Sequence, residues 1–295
     1  AFWWRCLTGA LAVAVEALRT SNADVVYGEC DIVDEYGTRI RPYGVREWAL
    51  ENHLWRGNPI AQPSSFVRRS VWDHAGGLDV SFHHAMDYDL WLRLGVSGKM
   101  RKVPALLGTY RLWQDSKTTV ATSTSRREMI RALDKLFARC DLPEDIAAQR
   151  SCAYAFAYFH ASLASIEEEL IRLACEQLSV SLHHELDACR SVRWLRWLIG
   201  EMRPRYALQW CDVVVPTVKR DQPIPSLHRQ MWARGLLDLV WLNTRDPAMM
   251  WALARRAVGL WPRTIVNIGT SILRPWAAPP RASRSAIFES NLSYY

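Results

Sequence analysis

No two cysteines stand in a CxxC arrangement, no apolar run reaches the roughly 18 to 20 residues that a membrane-spanning helix requires, and no glycine-rich phosphate loop occurs in the chain. Each absence excludes something. Cys6, Cys30, Cys140, Cys152, Cys175, Cys189 and Cys211 are scattered and odd in number. They read as reduced, mostly packed thiols of a cytoplasmic protein, not as a disulfide framework or a zinc site. The first fifteen residues are interrupted by Arg5 and lack a basic leader, so they do not read as a signal peptide. Neither the cysteine and histidine spacing of a zinc finger nor an RNP sequence is present, and nucleic acid is not an expected partner.

What is present is enough for a substantial core. The chain has 295 residues, of which 49% are hydrophobic, sufficient for one or two domains. Lys and Arg outnumber Asp and Glu by 37 to 30, a formal charge of +7. That excess suits anionic partners: a nucleoside diphosphate, a phosphate-linked lipid or an acidic membrane surface.

The most informative stretch is GGLDVSFHHAMDYDLWLRL, from Gly76 to Leu94. Leu90, Trp91 and Leu94 recur at helical spacing, so a helix is predicted to begin near Asp87 and to stop around Gly95 or Gly98. A carboxylate in the first turn faces the positive end of the helix dipole, which favours its ionised form. An ionised, positioned carboxylate is what a general base requires. On local sequence alone, Asp87 reads first as a residue that caps the helix. His83 and His84 adjoin it, but neighbouring side chains in an extended segment point apart, so no metal role is expected of them.

Three further blocks surround this stretch: VVYGECDIVDEYG (Val25 to Gly37), QPSSFVRRSVWDHAGGLD (Gln62 to Asp79) and GTYRLWQDSKT (Gly108 to Thr118). In this order and at these distances they resemble the second half of a family 2 glycosyltransferase with the GT-A fold, over roughly residues 5 to 120. The resemblance implies transfer of a sugar from a nucleotide-sugar donor to an acceptor hydroxyl with inversion, in surface polysaccharide or glycolipid synthesis. It implies that Asp87 is the catalytic base, although Met86 stands where the family commonly has a second acid. It assigns Gln62, Ser64 and Ser65 to the acceptor side, and Asp79 and Asp89 to orienting substrate. It further implies that Arg111 and Lys117 neutralise diphosphate oxygens. Trp113 replaces a usual histidine; an indole cannot ligate a metal, so it is expected to stack on a sugar ring. The family commonly uses Mg or Mn, held mainly by an acidic motif at a strand end. Here that motif is expected at or before Ala1, so the chain is expected to be a fragment lacking most of the donor site.

The expected architecture is thus an α/β, Rossmann-like partial GT-A domain over residues 1 to 124, then an all-α, tetratricopeptide-like domain over 125 to 295 ending in a disordered tail. Short strands are predicted at Ala23–Tyr27, Asp31–Ile40, Gln62–Arg69, Met100–Pro104 and Leu107–Leu112, with Ser70 capping the helix that follows Arg69. Asp31 and Asp34 read as turn acids, not ligands. Helical periodicity covers Arg126–Arg139, Ile146–Ala164, Ile166–Leu178, Leu182–Trp197 and Asp246–Arg263. The RWLRWL run (Arg193 to Leu198) places tryptophan beside arginine, which suits anionic lipid headgroups on the inner membrane face. Two other readings compete with glycosyl transfer. One is a non-catalytic binding or membrane-recruitment module; the other is a phosphoryl or nucleotidyl transferase with Asp87 and Asp89 on magnesium.

Overall fold

The computed structural model describes residues 4–56, 58, 60–112, 122–184, 199, 202–221, 223–224, 226–242 and 246–262. The chain is mixed α/β and divides into two compact units, one up to Ala153 and one from Tyr154. The first unit is built on a five-stranded mixed sheet. Its strands are β1 (Trp4–Cys6), β2 (Val25–Val33), β3 (Arg39–Pro42), β4 (Ser65–Val67) and β5 (Met100–Arg111). The order is β1-β5-β2-β3, with β4 pairing the first half of β2. β2 and β5 run parallel; the other pairs are antiparallel.

Side chains alternate across β2, and the alternation defines two layers. Val25 and Tyr27 face one side, where they pack on Leu90, Trp91 and Leu94 of helix α4 (Met86–Ser97). Val26 faces the other, against Ala10, Ala14 and Ala17 of α1 (Ala10–Thr20). Three alanines at helical spacing let α1 sit close to the strands.

β5 is one continuous strand where two were predicted, because Pro104 does not end it. The register steps from Gly28↔Val103 to Glu29↔Leu106, so Pro104 and Ala105 form a bulge that needs no ladder N–H from proline. Gly28 faces that bulge. A Cβ there would lie 2.5 Å from the Ala105 carbonyl oxygen and 2.6 Å from Leu107 Cγ.

The strand predicted over Gln62–Arg69 is shorter than expected. Gln62–Ser64 is a 3-10 turn, and only Ser65–Val67 pairs with β2. Ser70 lies inside α3 (Arg69–His74), whose N-cap is Arg68. Gly76 and Gly77, at φ +77° and +67°, carry the chain from α3 into the loop before α4. A short helix α2 (Leu50–Arg56) precedes the 3-10 turn. Asp34 accepts the N–H groups of Tyr36 and Thr38 in the β2–β3 turn, and Asp31 pairs with Arg39.

The boundary expected at residue 124 is displaced. Helix α5 (Thr122–Phe137) packs on α4, so it belongs to the first unit, with the short α6 (Glu144–Ala147) following it. The second unit is helical. Two long helices, α7 (Arg150–Glu167) and α8 (Ile171–His183), are joined by buried hydroxyl bonds. Ser162 donates to the Ala174 carbonyl, Ser165 to Gln177 Oε1 and Ser181 to the Ala155 carbonyl. Beyond them lie α9 (Pro204–Gln209), a π-helical segment at Trp210–Val214, α10 (Val215–Asp221), α11 (Ser226–Leu242) and α12 (Pro247–Leu260). The rings of Phe159, Trp210 and Trp232 form its centre. Asp246 caps α12 through the N–H of Ala248.

Among the described residues no helix is long and apolar enough to cross a membrane. Cys152 is disulfide-bonded, which corrects the expectation of reduced thiols throughout; spacing along the chain does not register cysteines that meet in the fold. Cys6, Cys30, Cys140, Cys175 and Cys211 are free. Much of the helix predicted over Leu182–Trp197, the RWLRWL run and the tail expected to be disordered lie outside the described residues.

Candidate active-site cleft

Two glycines and a loop bring the chain from α3 to α4, and the first turn of α4 opens onto a cleft of about 470 Å³. Asp87 lines it, together with Gln62, Ser65, Arg69 and Cys6. Phe66, Val67, Trp72, Leu78, Leu90 and Trp91 supply apolar walls. The polar groups come from the 3-10 turn, from β1 and β4, and from the first turns of α3 and α4.

Asp87 keeps part of its surface open but is otherwise enclosed. Its Oδ2 accepts the side-chain N–H of Asn58 at 2.7 Å, and its Oδ1 accepts the Tyr88 N–H at 2.8 Å. Asn58 is itself oriented, since its Oδ1 accepts the Ile60 N–H at 3.2 Å. Burial pushes the Asp87 carboxyl up to about 6, and these hydrogen bonds only partly oppose the rise. The sequence led to the opposite expectation, an ionised form favoured by the helix dipole. Desolvation outweighs the dipole here, and the amides just before the helix are occupied by another carboxylate.

That carboxylate is Glu128, on α5. It accepts the N–H of His83 at 3.0 and 3.1 Å, of His84 at 2.6 Å and of Ala85 at 3.0 Å. Burial raises the Glu128 carboxyl, but the three N–H bonds outweigh it and the net shift is downward. One turn along, Arg131 donates to the Ser81 carbonyl at 2.6 Å and lies over the Phe82 ring. A further turn along, Lys135 bridges Asp79 at 2.8 Å and Asp89 at 3.1 Å. Nothing in the local pattern marks this set, because charged residues at i, i+3 and i+7 ordinarily belong to a solvated helix face.

The predicted site residues divide. Gln62, Ser65 and Asp87 meet in the cleft. Ser64 does not reach it: it is buried, and its hydroxyl donates to the carbonyls of Gly28 at 2.9 Å and Ala61 at 3.0 Å. Successive residues of that turn point to different sides, so the pair Ser64–Ser65 cannot serve together. Asp89 is also turned inward, 1% exposed, with Arg93 at 2.7 Å and Lys135 on its oxygens. Residues two apart on a helix do not share a face, so Asp87 and Asp89 do not converge on one ion. Asp79 is held by Lys135 and caps the Ser81 N–H, which keeps its carboxyl well below the usual range; it does not line the cleft. Arg111 ends β5 opposite Val33, away from the cleft. Trp113 and Lys117 lie outside the described residues.

Behind the cleft, the His53 ring is buried between Trp48 and Tyr88, at 5.0 and 4.6 Å between centroids. The Tyr88 hydroxyl donates to the His53 carbonyl, tying α2 to α4 beside Asp87. Among the described residues no three His, Cys, Asp or Glu side chains stand together to hold a metal ion. No protein-family model matches the chain, and comparison with curated proteins found no match.

Proposed function

We propose that the chain carries the acceptor-side part of an inverting glycosyltransferase of the GT-A type, with Asp87 as the general base. The observation that carries this reading is a single carboxyl group of raised proton affinity, half-enclosed at a helix start and facing an aromatic-walled cleft. A base works best when its pKa lies near the operating pH, and about 6 is far nearer neutrality than an exposed aspartate.

In this mechanism the acceptor hydroxyl oxygen attacks the anomeric carbon as the bond from that carbon to the diphosphate oxygen breaks. The nucleoside diphosphate departs with the bonding electron pair, and the acceptor proton passes to Asp87. Asn58 and the Tyr88 N–H each engage one carboxylate oxygen, so both oxygens retain lone-pair capacity for that proton. Gln62 supplies donors and an acceptor for acceptor hydroxyls, Ser65 Oγ, whose hydrogen goes to the Gln62 carbonyl at 2.8 Å, supplies a further acceptor, and Trp72 offers an apolar face to a sugar ring. The divalent cation that the resemblance implies finds no fitting ligand set among the described residues, and no step is routed through it.

The carbohydrate or lipid-linked nature of the acceptor, the tetratricopeptide-like character of the helical unit and attachment to an anionic membrane face belong to the same proposal. The last rests on RWLRWL. Titration calorimetry of the protein with UDP- and GDP-sugars tests the reading. A saturable donor isotherm is expected, with Asp87→Asn retaining it while turnover falls about 10²- to 10⁴-fold. Silence toward every nucleotide-sugar favours a non-catalytic recruitment module.

A further inference from the structure

We infer that Glu128 is a positioning residue for Asp87: it clamps the backbone from His83 to Ala85 and so fixes where the first turn of α4 delivers that side chain. The inference rests on the reading of Asp87 as the reacting carboxylate. Its basis is geometric. One carboxylate, from a helix more than forty positions away in the chain, receives three consecutive backbone N–H groups immediately ahead of α4. Amides at a helix start have no partner within the helix, and a loop leaves them to water. Here a neighbouring helix satisfies them.

The clamp is not a single bond. Glu128, Arg131 and Lys135 form one stripe of α5, and they grip successive parts of the loop: the Asp79 carboxylate, the Ser81 carbonyl with the Phe82 ring, and the His83–Ala85 amides. Phe82 is buried under Arg131, which seats the loop on α5. Asp87 lies two residues past the last clamped amide. A displaced Ala85 therefore displaces the Asp87 carboxylate from Asn58 and opens it to water.

A merely structural tether and a positioning residue give different results. The full chain is compared with Glu128→Ala and Glu128→Gln by amide hydrogen exchange and by carboxyl carbon-13 titration of Asp87. In Glu128→Ala the His83, His84 and Ala85 amides exchange at least about tenfold faster, with β2 and β5 unchanged. The Asp87 midpoint falls by at least about one unit toward an ordinary carboxylate, because water reaches it. Glu128→Gln keeps one acceptor oxygen of the two, so His83–Ala85 exchange at a rate between those of wild type and Glu128→Ala, and the Asp87 midpoint is restored in part. Lower overall stability with an unmoved Asp87 midpoint overturns the inference and leaves a tether. If Glu128→Ala does not fold, Glu128→Gln decides alone: faster exchange at His83–Ala85 supports the clamp, and unchanged exchange overturns it. Neither readout depends on turnover. Full activity in Asp87→Asn ends the base assignment and leaves the clamp standing, whereas unaltered exchange and titration in both Glu128 variants end the clamp and leave the base assignment standing.

Discussion

Asn58 and Asp87 meet side chain to side chain, the Asn58 amide donating to Asp87 Oδ2 at 2.7 Å. The bond opposes the effect of burial on that carboxyl, since it favours the charged form. Replacing Asn58 with Leu removes the donor while keeping similar bulk. The Asp87 midpoint should then rise by about one unit, the equivalent of one charge-assisted hydrogen bond. Carboxyl carbon-13 titration measures it, and an unchanged midpoint contradicts the assigned partner.

Burial of Asp87 also makes stability depend on pH, with a defined sign. Its folded pKa is raised to about 6, above the unfolded value of about 3.9, so the folded state binds the extra proton between them. The stabilising contribution is complete below about pH 4 and is lost as pH rises through about 6. Asp87→Asn lacks this loss. Its stability relative to wild type should improve by about 2 kcal/mol between pH 4 and pH 8, read from urea unfolding of both proteins. A difference that stays flat across that range contradicts the enclosed carboxyl.

Ser64 and Ser65 should separate cleanly. Ser64→Ala removes the buried hydroxyl that donates to the Gly28 carbonyl, while the Ala61 carbonyl keeps the residue-64 N–H, and it should cost about 1 to 2 kcal/mol. Ser65→Ala, at the edge of the cleft, should change stability by less than about 0.5 kcal/mol. Thermal unfolding compares them, and equal losses would contradict the buried and open placements.

Cysteine chemistry provides a probe of the cleft. Burial pushes the thiols of Cys30 and Cys211 up to about 12, so both should resist alkylation at pH 8. Cys6 and Cys140 are exposed and should label. Of these two Cys6 lines the cleft, so a ligand seated beside Asp87 should slow labelling of Cys6 and spare Cys140. Mass spectrometry of the alkylated peptides reads this directly.

The helix bearing Asp87 was legible because Leu90, Trp91 and Leu94 mark its buried face and Gly98 its end. The layered sheet was legible in part, through the β-branched run at Val25. Three things were not. Pro104 suggested a break because a bulge opposite Gly28 leaves no trace in a single strand's pattern. Ser64 and Ser65 read alike because the 3-10 turn that sends them apart is set by tertiary packing. Glu128 was invisible as a partner of the His83–Ala85 backbone, since a bond across more than forty residues has no local signature. The same long-range packing moved the domain division away from residue 124, because α5 belongs with the loop it holds.

The role of Asp87 is tested most directly by the pH dependence of sugar transfer in the wild-type protein. Protonation removes the base, so turnover should fall on the acid side with a midpoint near the Asp87 value of about 6. A rate that holds level down to pH 4.5 would contradict Asp87 as the group that takes the acceptor proton.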